Sequence, residues 1–294
     1  MMKLAVAVFL CALLAVSALG QTQQSAPTLK IVTDNPNLPS ELYYGNVKVK
    51  PLRLRPGTNE KVTYDDNDAF VEQHYLDFLQ RFPEPSGMAG WLSVLNNCHN
   101  QGKLGSTDPR CDRVEVSSAF YRSPEFRSRG YLVYKAYASS LGRFPRYSEF
   151  TPDLAKVSGF QTPEQEEANK AAFFNEFVAR PEFKNKYDGF TDAAAYVNAL
   201  LASAGVSISN KDALVNALRA GQLTRAQVLR AIADSAEVDS KFFNEAFVVM
   251  MYFGYLHRDP DALYQTWINK LNTTGNYRDM VFGFVYSPEY RDRY

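Results

Sequence analysis

The sequence predicts an all-α protein of tandem three-helix units behind a short extended, β-like N-terminal arm. Two recurrences and one periodicity carry that prediction. The phrase Ser123-Pro124-Glu125-Phe126 returns as Arg180-Pro181-Glu182-Phe183, Ser235-Ala236-Glu237-Val238 and Ser287-Pro288-Glu289-Tyr290, at steps of 57, 55 and 52 residues. A tyrosine also stands six residues before an arginine three times: Tyr75 and Arg81, Tyr137 and Arg143, Tyr252 and Arg258. Self-similarity at a near-fixed period marks one supersecondary unit copied in tandem, each copy burying its apolar face on its neighbours. Between the phrases, apolar residues fall at helical spacing.

The chain opens on Lys3, an apolar run from Leu4 to Leu19 and Ala18-Leu19-Gly20 before Gln21. That is the pattern of a secretory signal peptide over residues 1–20, cleaved near Gly20. The run is shorter than the roughly 20 residues of a spanning helix, and no small residue precedes Cys11 as lipidation would need. A secreted, periplasmic or cell-surface location is therefore expected. Residues 21–66 follow as an extended arm, with strand-like runs at Leu29–Thr33 and Val47–Lys50 among prolines and glycines. The lysines and arginines at 48, 50, 53 and 55 read better as a protected strand edge than as an anion site.

Four helical units are expected: 67–130, 131–189, a degenerate 190–240, and 241–294. In the first, Val71, Tyr75, Phe78 and Phe82 form one stripe behind the helix-start acids Asp65, Asp66 and Asp68. Met88, Trp91 and Leu95 form a second, and Val116, Ala119 and Phe120 a third, halted at Ser123-Pro124. The second unit carries a looser middle from Pro145 to Pro163. The third has Tyr196 but Ala202 where arginine would stand, with Thr191 and Thr224 as expected N-caps. Trp267, Ile268 and Leu271 mark the middle helix of the fourth. The apolar stretch from Ala246 to Leu256 is too short to span a bilayer and reads as a buried helix.

The recurring Arg81, Arg143 and Arg258 have candidate partners in Glu125, Glu182 and Glu289. Unit three argues against an obligatory pair, since Glu237 persists there without its arginine. The aromatics Phe126, Phe183 and Tyr290 close the core where the third helix stops. Cys98 and Cys111, an even pair in an exported chain, are expected to form a disulfide. Closing that loop is worth about 3 kcal/mol in the chain-entropy model.

Chemistry is sparse. Lys+Arg and Asp+Glu both number 32, so no global field points to nucleic acid or an anionic membrane. His74, His99 and His257 form no metal spacing, and no phosphate loop, dinucleotide fingerprint or nucleophile-elbow turn occurs. No EF-hand spacing surrounds Asp65–Asp68 or Asp259–Asp261. The reading is of a non-enzyme without cofactor or metal. With 18 tyrosines and 20 phenylalanines, exposed rings could serve as sugar platforms, Tyr286, Tyr290 and Tyr294 first among them.

Phe70-Val71, Tyr75, Leu79, Arg81-Phe82-Pro83, Gly87, Trp91, Ser118, Phe120 and Ser123-Pro124-Glu125-Phe126 together resemble the bacterial domain of unknown function numbered 4214. The resemblance covers the chain from about Phe70 to Tyr294. It implies a helical fold related to the phycobilisome linker domain and an exported or surface-layer setting, with no established activity. It also implies a cysteine pair where Cys98 and Cys111 stand. The expected function is an exported, non-enzymatic interaction or scaffold protein with a protein partner at the cell envelope. The alternatives are a glycan-binding or calcium-assisted adhesion module, and an exported hydrolase with an unrecognised site.

Overall fold

The computed structural model describes residues 29–32, 41–44, 47–48, 53–54, 61–102, 108–159 and 162–291. The signal-peptide reading, the basic side chains of the arm and Tyr294 lie outside what is described. Of the arm, the described backbone amounts to short antiparallel strand pairs, among them Leu29–Val32 with Glu41–Tyr44. From Asn67 onward every described regular element is helical, as the apolar spacing predicts.

Unit one begins with α1 (Asn67–His74), which widens into a π-helical turn over Tyr75–Leu79. It continues with α2 (Pro85–Asn96) and α3 (Arg113–Arg122). Cys98 and Cys111 are bonded across a Cα–Cα distance of 5.5 Å, tying the end of α2 to the start of α3. The proline phrase then does more than stop a helix, which corrects the expectation of a terminal proline stop. Ser123 accepts a hydrogen bond from the Phe126 amide, and Pro124 occupies the first turn of α4 (Pro124–Ser128). A proline is tolerated there because its missing N–H would have had no helical partner. The phrase likewise opens α8 (Pro181–Tyr187), α12 (Ala236–Met251) and α15 (Pro288–Arg291).

Between these lie α5 (Gly130–Leu141), α6 (Tyr147–Val157) and α7 (Pro163–Ala179). The stretch expected to be loose is thus mostly the regular helix α6, which holds Pro152 in its interior. In unit three, α9 (Ala193–Ala204) is capped by Asp192, not by Thr191 as expected, while Thr224 does cap α11 (Arg225–Ala233) after α10 (Lys211–Arg219). In unit four, α12 passes into a second π-helical turn at Tyr252–Leu256. Residues 246 to 255 are all buried, as their apolar run predicts. The helices α13 (Tyr264–Thr274) and α14 (Arg278–Val285) complete it.

The units do not simply stack on sequence neighbours. Helix α3 packs on α14 and the two π-helical turns meet, so unit one joins unit four; α5 packs on α9 and α7 on α11, joining units two and three. Gly254 permits the first junction, since a Cβ there would come within 2.7 Å of the Phe78 ring. One continuous apolar core results.

Candidate functional site

The recurring residues form a clamp inside each regular unit. Arg81 donates from Nε and Nη2 to Glu125 at 2.7 and 2.6 Å and from Nη1 to Glu84 at 2.6 Å, with its guanidinium 4.8 Å from the Tyr75 ring. Arg143 repeats this with Glu182 at 2.9 and 2.6 Å, Glu149 at 2.8 Å and the Tyr137 ring at 5.2 Å. Arg258 does so with Glu289 at 2.7 and 3.1 Å, Asp261 at 3.1 Å and Tyr252 at 5.3 Å. The pairing that unit three put in doubt therefore forms in the other three. In unit three, α9 continues to Ala204, four residues beyond the point, counted from the recurring tyrosine, where the other first helices end. Its Tyr196 ring is covered instead by Arg225 of α11, at 4.5 Å, and Glu237 stays exposed.

Burial grades these clamps. The Arg81 and Glu125 side chains are 9% and 24% exposed, against 31% and 54% for Arg143 and Glu182, and 36% and 49% for Arg258 and Glu289. Arg81→Met is therefore expected to cost about 2 kcal/mol, and Arg143→Met and Arg258→Met each below about 1 kcal/mol. Urea denaturation of the three variants checks the order; equal losses would contradict it.

Phe126, Phe183 and Tyr290 are buried, as core-closing residues should be. For Tyr290 this overturns the exposed-platform expectation: its ring meets Tyr64 edge-on at 5.0 Å and its hydroxyl donates to Asp77 at 3.1 Å. Tyr286 is half-buried. Trp91 stacks on Phe120 at 5.2 Å, and Trp267 is half-buried beside Gly283. Among the described residues, the large apolar side chains most exposed are Leu263 and Phe282 of unit four.

The histidines separate. His99 is exposed in the cystine loop, while His74 is fully buried. His74 Nδ1 lies 2.8 Å from the Phe70 carbonyl and Nε2 lies 3.0 Å from the Tyr255 hydroxyl. A carbonyl only accepts, so Nδ1 carries the proton and Nε2 accepts from Tyr255. Tyr255 in turn accepts from Ser117. His257 belongs to a different setting, and it is the one that makes a candidate site.

A cleft of about 380 Å³ opens where units one, two and four meet. Its acid is Asp77, whose side chain is 2% exposed. Asp77 Oδ1 takes bonds from His257 Nε2 at 3.1 Å and from Gln73 at 2.7 Å, and Oδ2 takes the Tyr290 hydroxyl. Helix α6 lays Tyr147, Phe150 and Thr151 along the cleft, and Phe253 faces them from unit four. The Tyr147 and His257 rings stack at 5.6 Å and 14°. Asp259 accepts from the Tyr147 amide at 2.6 Å, fixing α6 against unit four. Thr151 is turned to its own helix, donating to the Tyr147 carbonyl at 3.0 Å.

Two further lining residues are conformationally unusual. Gln80 and His257 end the two π-helical turns in left-handed conformations, φ 50° and 51°. The same position in unit two is Gly142, φ 73°, which takes that conformation without steric cost. A second cavity, of about 390 Å³, lies within unit two. Its polar groups close on one another: Arg180 grips Asp153 at 2.6 and 2.7 Å, and Tyr137 donates to the same carboxylate at 2.7 Å.

The sequence reading singled out neither Asp77 nor Gln80, and it left His257 without a partner. One signal was present: at the residue before the recurring arginine, units one and four carry Gln80 and His257 where unit two has glycine. No family model, no curated protein and no solved structure matches this chain. Among the described residues, no helix is long and apolar enough to cross a membrane.

Proposed function

We propose that this chain is an exported, non-enzymatic interaction protein of the cell envelope that recognises a protein partner through the cleft between units one, two and four. The observation that carries the reading is how the polar residues are divided. Those that recur from unit to unit close on each other inside their own units. The cleft gathers residues that break the recurrence: Asp77 stands where unit four has Gly254, and Gln80 and His257 stand where unit two has Gly142. A signal-peptide-like start and the resemblance to exported helical domains support the compartment.

Ala155 lines the cleft and is exposed, so Ala155→Trp fills it from the solvent side. Capture from envelope fractions by the mature protein should retain a partner that the filled variant loses, with helical circular dichroism unchanged. Capture indifferent to the substitution would remove the cleft as the recognition site. The Asp77–His257 bond favours one second reading, an exported hydrolase, because a carboxylate-held imidazole is the usual form of a general base. Turnover of an ester, peptide or glycoside that His257→Gln abolishes without unfolding would replace the binding reading.

A further inference from the structure

We propose that the Asp77–His257 cleft takes an alkylammonium group, either a lysine or methylated-lysine side chain of the partner or a free organic cation, between the Asp77 carboxylate and the rings of Tyr147, Phe150 and Phe253. The inference rests on the cleft being the recognition site and adds what that site selects.

Three features of the cleft agree in sign. Asp77 places a buried carboxylate at its wall, and its direct donors are His257, Gln73 and Tyr290. Gln73 and Tyr290 are neutral donors, which orient the carboxylate without adding a positive charge beside it. The helices ending at Leu79 and Leu256 both point their C-termini at the cleft, since their capping residues Gln80 and His257 line it. A helix C-terminus carries partial negative charge from carbonyls without helical partners, so it favours cations. Among the described residues, no lysine or arginine lines the cleft to neutralise these groups.

The aromatic walls then select the kind of cation. Tyr147, Phe150 and Phe253 line one cleft, with Phe150 packed on Phe253 at 5.2 Å and Tyr147 on Phe253 at 5.6 Å. A strongly hydrated metal ion gains little from such walls, because ring faces cannot replace its oxygen ligands. A methylated ammonium is weakly hydrated, is attracted to ring faces and has an apolar body to bury against Leu76 and the rings, whereas a lysine ammonium is more strongly hydrated but carries donors for the carboxylate. The volume suits a side chain or a small molecule, not a folded domain.

Choline and its uncharged isostere dimethylbutanol serve as matched probes, titrated into the mature protein and followed by the Tyr147 and His257 ring resonances. Choline should bind roughly tenfold more tightly than the isostere. Asp77→Asn should remove that preference. Because Asp77 is buried and its loss could disturb folding, Tyr147→Leu provides a second variant that leaves the carboxylate in place. It should weaken choline several-fold and the isostere little. An Nα-acetyl-lysine amide probe separates the sources: binding at least as tight as choline assigns the site to a partner's side chain, and choline binding alone assigns it to a free cation. Equal binding of choline and isostere would overturn the cation assignment while leaving the cleft as a recognition site. Binding of none of the three probes would also overturn it, and the Ala155→Trp capture experiment then judges the cleft independently.

Discussion

Replacing Arg113 by methionine is expected to cost about 4 kcal/mol, twice the loss expected for Arg81→Met. Arg113 is fully buried at the start of α3. It donates to three backbone carbonyls: Gly102 at 3.1 Å, Tyr64 at 2.9 Å and Asp65 at 2.5 Å, with a fourth bond to Asn67 at 3.2 Å. Its guanidinium also lies 4.7 Å from the Phe70 ring. Among the described residues no carboxylate pairs with it directly, and burial pulls its pKa down. The forked donors meet three carbonyl oxygens and a side-chain amide oxygen, which take the place of the water the buried group has lost. One side chain thus joins the cystine loop, the entry to α1 and the first turn of α3. Methionine fills much of the volume but leaves those oxygens without donors. Arg113→Lys should recover less than half of the loss, since one ammonium cannot span the same set of carbonyls. Urea midpoints for both variants test this; losses below about 1 kcal/mol for both would show the carbonyls to be satisfied by water.

What the sequence exposed and what it hid follow from the range over which each feature is encoded. Helices start and stop on local signals. The Ser-Pro phrase, the Thr224 cap and the apolar spacing each act within a few residues, though the phrase opens a helix where a stop was expected and Phe82, placed on the first stripe, lies past the helix end and is exposed. The Arg–Glu clamps were legible as candidates because both members recur in register. Their absence from unit three has a local cause, Ala202 in place of the arginine within the longer run of α9, which carries no information about the other units. The looser middle expected from Pro145 to Pro163 holds the regular helix α6, which keeps Pro152 in its interior although a proline there normally breaks a helix. There the Glu149 carboxylate accepts from the Arg146 amide at 2.7 Å at the start of the helix, and α7 packs along it. The cleft was illegible for a different reason. Asp77 and His257 lie 180 residues apart and meet only because unit one closes on unit four. Nothing periodic encodes a contact between the first and last copies of a repeat. The same closure buries Tyr290, which by position alone looked like a terminal, exposed ring.

That closure also makes a prediction about acid. His74 sits under the junction, packed between Phe70, Phe78, Phe120 and Tyr255, and burial pushes its pKa down from 6.5 to about 4. The Phe70 carbonyl and the charge of Asp77 act in the opposite sense, and Arg113 adds slightly to the depression. In the unfolded chain the imidazole takes a proton near pH 6.5, whereas in the folded chain it does so only near pH 4. Over that window the unfolded state binds more protons, so stability is full above pH 6.5 and declines as the pH falls toward 4. The whole decline amounts to about 3 kcal/mol, of which about 2 kcal/mol falls between pH 7 and 5. Paired carboxylates such as Glu166, held near 2 against burial by Lys170 and Arg129, lose their contribution only below their ordinary value of 4.5. The interval from pH 7 to 5 therefore isolates the imidazole from them. His74→Gln, which keeps an amide donor for the Phe70 carbonyl but cannot titrate, should be less stable than the parent at pH 7 and show a flatter profile down to pH 5. Denaturant midpoints at closely spaced pH values would decide it. Parallel profiles for parent and variant would mean that His74 takes up its proton in place, with the junction between units one and four opening to water around it.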